Sequence, residues 1–527
     1  MAKNCDIELR RQSIQDLLDS KKNHEERNVL GQFSTPKLLA DSIVKAALSY
    51  INGKELRFLD TSIGTGVFFS SLINLCNKKD IEYACGYEID KHYAIPAIEL
   101  WKNEKINYFV GDFFDFVPPK NNEKFNIIVS NPPYVRHHHI NSDKKSELKK
   151  RIEKYYGLTL SGLTGLYGYF MILSALWLKE NGISVWLVPN EFLDVNYGKI
   201  IKSFFLSKVK LLRIHRFNPL NIKFSNALVT STVVFYTTGK TSDSVLFTSG
   251  DDIIIPEIKK NILVKNLNPD DKWSNYFLTS VLTKKNNVTI GDYFYVKRGI
   301  ATGSNKHFII NDEVIGKYNI SEKYLKPILP SPKYIMNNII EKESNGRIAG
   351  VKNRYLLNIT CSENEIYNLP DGVILYLNSI YKEIKNNYII KNRSPWYKQE
   401  YRPECPFLIS YMGRNPNEPF RLFLNKTNAT APNVYLFLYP KFNWKEIEVK
   451  YKGFLIELHN KLLNISSRTL VSSGRVYGGG LYKLEPKELM GVSLDDILSK
   501  DIIKIIDCYV PKIKNKDKFR RILVQKE

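Results

Sequence analysis

Cysteine is scarce and scattered in this chain: Cys5, Cys76, Cys85, Cys361, Cys405 and Cys508 are the six among 527 residues. None stands at metal-ligand or disulfide-framework spacing, which excludes a stapled secreted scaffold and a zinc module and fits reduced thiols. No apolar run approaches membrane-spanning length, and Met1-Ala2-Lys3-Asn4-Cys5-Asp6 has no apolar core of a secretory leader. A soluble, cytoplasmic protein without a membrane partner is therefore expected. There is no internal repeat and no long low-complexity segment. Acid is in short supply as well, with 54 Asp+Glu against 77 Lys+Arg, a net charge of +23 and a pI near 9.4.

The chain is long enough for two or more domains with their own cores. Alongside its basic charge it carries 32 Tyr and 27 Phe. Cations combined with abundant rings suit a polyanion whose bases can stack, so nucleic acid is the partner class that composition favours.

The first half alternates between strand and helix patterns. Residues 8–29 are polar and helix-prone. In Gly31-Gln32-Phe33-Ser34-Thr35-Pro36, Ser34 or Thr35 reads as a helix N-cap with Pro36 at the first helical position. Leu38, Leu39, Ile43, Ala46 and Ala47 then mark one helix face. Arg57-Phe58-Leu59-Asp60 reads as a strand, followed by the turn Thr61-Ser62-Ile63-Gly64-Thr65-Gly66 into a helix. Strand, acid and glycine turn form the nucleotide-cofactor corner of a doubly wound sheet. A phosphate-gripping Gly-Lys-Ser/Thr is missing, and so is the three-glycine dinucleotide fingerprint. A second strand ends at Glu88, where such sheets hold ribose hydroxyls. A third leads to Asp112 and Phe113, an acid to accept from an amino group and a ring to lie on a base. These loops share the carboxyl edge of one parallel sheet.

The fourth strand, Phe125 to Val129, runs into Ser130-Asn131-Pro132-Pro133-Tyr134. Two prolines remove two backbone donors and fix φ twice, leaving bare carbonyl acceptors on a rigid turn. The side-chain oxygen of Asn131 and the carbonyl of Pro132 can each accept one N–H of an exocyclic NH2 on a planar ring. That draws the nitrogen lone pair out of conjugation, while Tyr134 can stack on the ring.

The series Gln32 to Pro36, Asp60 to Gly66, Glu88, Asp112-Phe113 and Asn131 to Tyr134 resembles the class I S-adenosylmethionine-dependent methyltransferases, specifically the gamma-class N6-adenine DNA methyltransferases of TaqI type. The resemblance covers about residues 28–240, and departs from the family where Thr61-Ser62 replaces the usual proline of the glycine loop. It implies S-adenosyl-L-methionine as cofactor, held by Gln32, Phe33, Thr35, Asp60, Ser62, Gly64, Gly66, Glu88, Asp112, Phe113 and Asn131. It implies a catalytic group of Asn131, Pro132, Pro133 and Tyr134, with a second base-packing ring placed at Phe224, Phe217 being the alternative. Leu166 to Glu180 then reads as a helix, Ile183 to Val188 as a strand with a corner at Pro189 to Leu193, and Thr230 to Tyr236 as a later strand. His137-His138-His139 cannot easily converge on one metal, and no metal site is expected. Residues 141–165 read as a mobile loop able to order over substrate.

A boundary is expected near Thr237 to Lys240 and Asp251-Asp252. This gives a Rossmann-like α/β catalytic domain at 1–245 and a mixed α+β target-recognition domain at 246–527. The second half offers polar, arginine- and amide-bearing loops at 297–306, 411–414, 425–433 and 472–480, the side-chain types that pair with base edges. Glu448-Val449-Lys450 has an acid-x-Lys form, but no partnered Pro-Asp gives it a nuclease context. The expected function is site-specific methylation of a flipped adenine in double-stranded DNA, as part of restriction–modification. A separate cognate restriction endonuclease is a further expected partner, and the chain is able to act as a monomer. Cytosine N4, RNA or a protein glutamine are the alternative substrates, and a non-catalytic DNA-binding subunit on the same fold is the alternative class.

Overall fold

The computed structural model describes residues 2–23, 26–27, 30–51, 55–218, 230–239, 243–277, 288–415, 417–477 and 480–510. The chain forms two compact units, Met1–Leu282 with Tyr477–Gly479, and Thr283–Val476 with Gly480–Glu527.

The first unit opens with helices α1 (Ala2–Ser20) and α2 (Lys37–Leu48). Strand–helix alternation follows: β1 (Leu56–Asp60), α3 (Val67–Leu75), β2 (Ile81–Glu88), α4 (Lys91–Trp101), β3 (Asn107–Val110) and β4 (Phe125–Ser130). Next come α5 (Ser142–Tyr156), α6 (Leu166–Leu173), β5 (Leu178–Pro189), α7 (Gly198–Ser207), β6 (Lys210–Arg216), β7 (Ser231–Thr237), β8 (Ser244–Ser249) and β9 (Ile258–Leu263). The sheet order is β3-β2-β1-β4-β5-β7-β6-β8-β9. Pairing is parallel from β3 to β5 and antiparallel where β7 meets β5 and β6.

The central strands are nearly continuous apolar runs because helices cover both faces of the sheet. Successive residues enter opposite cores: Leu59, Ile128 and Trp186 on one side, Phe58, Ile127 and Val185 on the other. Strand order reverses between β1 and β4, opening a crevice at their carboxyl ends.

Three expectations change. The sheet continues through β8 and β9, so the first unit runs to Leu282 instead of ending at 245. The helix expected over Leu166 to Glu180 stops at Leu173, and Leu178 already belongs to β5, where it pairs with Phe125. Residues 142–156 form helix α5, capped by Asn141, which accepts from the N–H groups of Asp143 and Lys144. Leu148 and Ile152, one turn apart, are fully buried, and this i,i+4 pair anchors what the polar composition disguised as a loop.

In the second unit the largest described sheet has five strands: β10 (Phe294–Arg298), β11 (Ile339–Ile340), β12 (Phe407–Ser410), β13 (Leu422–Asn425) and β14 (Tyr435–Pro440). Their order is β10-β14-β12-β13-β11, antiparallel except where β11 joins β13. Helices α8 (Asp371–Ile384), α9 (Phe454–Leu462) and α10 (Lys500–Cys508) complete a mixed α+β architecture.

Candidate functional site

A cavity of about 690 Å³ sits at the crevice of the first unit. It gathers Gln32, Phe33, Ser62, Gly64, Glu88, Asp112, Phe113 and Asn131, together with Pro133. Residues up to 101 positions apart, Gln32 and Pro133, thus meet because four loops share one sheet edge. Thr35, Asp60, Gly66, Pro132 and Tyr134 are not in its lining. Phe224 lies outside the described residues, while Phe217 is a core residue, 3% exposed and edge-on to His215.

The loop after β1 is held from beneath. Asp60 is 1% exposed and accepts from Ser130 Oγ at 2.7 Å and from the Ser62 N–H at 3.1 Å. Thr61 Oγ1 and Ser62 Oγ each lie 2.9 Å from Ser130 Oγ, and Ser62 Oγ donates to the Asn131 carbonyl at 3.0 Å. The Thr-Ser pair standing where the family has proline therefore ties the glycine loop to the Asn-Pro-Pro-Tyr corner. Gly64 (φ +55°) needs its left-handed backbone and opens onto free space. Gly66 is held by crowding, since a Cβ there would sit 2.6 Å from the Tyr108 hydroxyl and 2.7 Å from Trp101 Nε1.

Glu88 at the tip of β2 accepts from the Gly64 N–H at 3.0 Å and from the Asp90 N–H at 2.8 Å, which aims its carboxylate at the cavity wall. Burial pushes both Asp60 and Glu88 up to about 7. Asp112 caps the following turn through the Phe114 N–H at 3.0 Å and pairs with Lys144 of α5 at 3.1 Å.

At the corner, Asn131 Nδ2 donates to the Phe33 carbonyl and to Thr35 Oγ1, both at 3.0 Å. A carbonyl can only accept, so the side-chain group facing Phe33 must be the NH2, and Oδ1 must point the other way. That oxygen is buried and has no hydrogen-bond partner. An unpartnered buried acceptor is costly, and one beside a cavity is poised for an incoming donor.

Ser34 or Thr35 was expected to cap α2. The helix instead begins after Pro36 with no side-chain cap, because the Thr35 hydroxyl serves Asn131. Tyr134 was expected to offer a stacking face. It is 9% exposed, tilted against Phe33 at 5.8 Å, and its hydroxyl donates to the Leu187 carbonyl at 3.2 Å. A buried phenol takes a partner, and here that partner anchors the corner to β5.

Residues 53–222 match the family model of the Eco57I restriction-modification methylase, and residues 270–526 match that of the C-terminal domain of the type II methyltransferase M.Eco57I. The type II methyltransferase M.AccI of Acinetobacter calcoaceticus is 28% identical over 491 residues, 89% of this chain and 86% of its own length. M.XamI of Xanthomonas campestris pv. amaranthicola is 25% identical over 376 residues, 68% of this chain and 66% of its own. Together these matches identify the chain as a restriction–modification DNA methyltransferase, similar to the Eco57I type. A solved structure of the type IIL restriction-modification enzyme MmeI in complex with DNA shares the fold. It has a TM-score of 0.53 at 15% identity and covers 93% of this chain and 74% of that one.

This methylase acts on DNA, and its cavity fits S-adenosyl-L-methionine. Glu88 offers acceptors for a diol, Asp112 an acceptor for an amino group, and Phe113, stacked on Phe170 at 5.8 Å, an aromatic wall. Sequence reasoning missed Ile89, which is 66% exposed within the same cavity and presents apolar surface beside these groups. An apolar residue directly after a strand-tip acid was the signal available.

The methylase also uses α1, which its polar pattern did not mark as functional. Arg11, 1% exposed, donates to Thr65 Oγ1 of the glycine loop at 2.9 Å, and Thr65 Oγ1 donates to Gln15 Oε1 at 2.7 Å. Asp19 accepts from the Tyr93 hydroxyl at 2.8 Å and from Ser34 Oγ at 3.2 Å. Gln32 bridges Lys22 and Asp90, at 3.0 and 2.8 Å. Gln15, Asp19 and Lys22 line the cavity, so α1 and the residues after it form part of its wall.

In the second unit most of the loops singled out from sequence are committed internally. Asn425 is 5% exposed and bonds the Ala429 carbonyl at 3.0 Å; Thr427 and Thr430 are buried beside it. Arg298 pairs with Glu485 and lies 4.7 Å over the Tyr411 ring, and Arg475 pairs with Glu488 at 2.7 Å. Arg414 is exposed. Glu448 caps α9, accepting from the N–H groups of Gly453 at 3.0 Å and Leu455 at 2.9 Å, which explains the acid-x-Lys pattern as structure.

Proposed function

We propose that this methylase transfers a methyl group to the N6 amino nitrogen of an adenine flipped out of duplex DNA. The observation that carries the reading is the orientation of Asn131. Its NH2 is used by Phe33 and Thr35, and its buried Oδ1 is left as an acceptor. An exocyclic amine entering from the cavity supplies the missing donor, and the Pro132 carbonyl takes its second N–H. The nitrogen lone pair is then released from conjugation and pointed across the cavity. No residue has to remove a proton before the attack, because the amine is already neutral; the proton that the methylated nitrogen must lose afterwards passes to solvent. S-adenosyl-L-methionine, when bound, supplies the electrophilic methyl group. Glu88, Asp112 and Phe113 hold the cofactor, with Asp60 and Ser62 shaping the loop beneath it. Phe224 is assigned to the far face of the base, and Tyr134 fixes the angle of the corner. The gain comes from positioning and preorganised hydrogen bonds, after base flipping has brought the ring within reach. Recognition of the surrounding sequence is assigned to the second unit. The chain acts as a monomer, with cleavage left to a separate cognate endonuclease.

The test is mass spectrometry of nucleosides from duplex DNA incubated with the protein and S-adenosyl-L-methionine. N6-methyladenine above the control without protein is expected. N4-methylcytosine would overturn the base assignment while keeping the mechanism. The absence of any methylated nucleoside from a protein that binds the cofactor would overturn the reading itself. Asn131→Ala is expected to abolish transfer and to leave cofactor affinity in place.

A further inference from the structure

The loop leading into β11 is held rigidly from within. Residues 332–338 are stapled by one side chain: Arg421 Nη1 donates to the carbonyls of Pro332 and Ile335 at 3.2 and 2.7 Å. Its Nη2 donates to the Met336 carbonyl at 3.1 Å and to Asn338 Oδ1 at 3.0 Å. The guanidinium is itself seated 4.8 Å over the Phe423 ring. Ile335, 5% exposed, plugs the loop into the core, the Tyr435 hydroxyl donates to the Pro330 carbonyl at 2.7 Å, and Leu424 N–H donates to the Asn338 carbonyl at 2.8 Å.

A loop held this firmly presents its outward side chains at little further entropic cost. Those side chains are not the polar set expected of a surface turn. Tyr334 is 59% and Met336 84% exposed, flanked by exposed Lys333 and Asn337, with the Lys333 ammonium 4.7 Å over the Tyr334 ring. Two large apolar side chains on a fixed backbone, beside a cation and an amide, match the chemistry of wedges that press between base steps while neighbours grip phosphate and base edges. The chain's net charge of +23 supplies the long-range attraction.

We propose that residues 333–337 form a wedge that inserts into duplex DNA, with Tyr334 and Met336 as the apolar contact and Lys333 and Asn337 as its polar flanks. This rests on the DNA reading above and adds to it a contact outside the loops that the sequence pattern suggested.

The test uses the full-length chain with p-benzoylphenylalanine at position 336, or at position 449 as the control, since Val449 is 87% exposed. The probe is a fluorescein-labelled plasmid fragment. Photo-crosslinking to DNA is expected from 336 and not from 449. The double substitution Tyr334→Ala with Met336→Ala is expected to weaken duplex affinity at least tenfold, and to leave the melting temperature and S-adenosylhomocysteine affinity unchanged. The proposal is overturned if a chain that binds the duplex gives no crosslink at 336, or crosslinks equally at 449. It is also overturned if the double variant binds within twofold of the parent, the result expected if this face docks a protein. A parent chain that binds cofactor but no duplex would instead overturn the DNA reading on which the wedge rests.

Discussion

Asn131 donates to the hydroxyl oxygen of Thr35 at 3.0 Å, across 96 positions of sequence. The contact turns a residue that looks like a helix cap into the orienter of the proposed catalytic amide. Thr35→Val keeps the shape and removes the acceptor. One orienting bond is worth roughly 1–2 kcal/mol, so turnover should fall about 5- to 30-fold. Cofactor affinity should change little, and Thr35→Ser should restore the rate. Single-turnover methylation with saturating cofactor checks this; an unchanged rate for the valine variant would remove Thr35 from the mechanism.

Gly31 sets how closely the 31–36 segment crosses the corner. Its φ is +63°, and a Cβ would lie 2.4 Å from the Tyr134 nitrogen, whose N–H donates to the Gly31 carbonyl at 3.0 Å. Neither the strain nor the backbone clash can be relieved by a side-chain rotation. Gly31→Ala should destabilise the fold by roughly 1–3 kcal/mol and largely eliminate methylation. Urea midpoints and activity measured together test both parts.

Stability should depend on pH through Glu88 and Asp60. Burial raises each to about 7 in the folded chain, whereas an unfolded carboxyl titrates at about 4. Between these values the folded state holds protons that the unfolded state has lost, so stability declines as pH rises. It is greatest below the unfolded pKa, and the loss is complete above the folded one. Glu88→Gln removes one titrating group. Its melting temperature should fall less steeply than that of the parent between pH 5 and 7.5, in the absence of cofactor. Identical slopes would mean that Glu88 is already ionised at pH 5.

Arg11 is a buried guanidinium joining Glu8, at 2.7 Å, to Thr65. Arg11→Met should cost on the order of 3 kcal/mol and should weaken S-adenosylhomocysteine binding through the loosened glycine loop. The neighbouring exposed Arg10 is the control, and Arg10→Met should stay within about 0.5 kcal/mol. Equal losses from the two variants would count against a specific role for Arg11. Calorimetric titration and urea denaturation supply the two readings.

Much of the site was legible in order of strands. Asp60, Glu88, Asp112 and Asn131 each end a short apolar run, and a parallel sheet with right-handed crossovers brings such ends to one edge. The rest depended on contacts between distant segments. Nothing in Arg11, Gln15 or Asp19 marks α1 as a cavity wall, because a polar helix pattern looks the same against solvent as against a buried polar network. Nothing in Leu148 and Ile152 within a lysine-rich stretch outweighed its loop-like composition. The extension of the sheet by β8 and β9 past Asp251-Asp252 was hidden for a similar reason, since a turn signal does not reveal whether the next strand rejoins the same sheet.

By itself, then, the sequence determined the kind of chemistry: strand-tip acids, a glycine turn and a proline-locked amide are local features, written in adjacent residues and read from their own covalent constraints. Only the tertiary structure decided which way the Asn131 amide faces, that Thr35 serves it and not a helix, that Tyr134 is an anchor, and that Arg421 holds an exposed Tyr334 and Met336 in place. Each of these depends on which distant donor or acceptor arrives within about 3 Å, and hydrogen bonding at that range is settled by how the chain packs, not by the order of its residues.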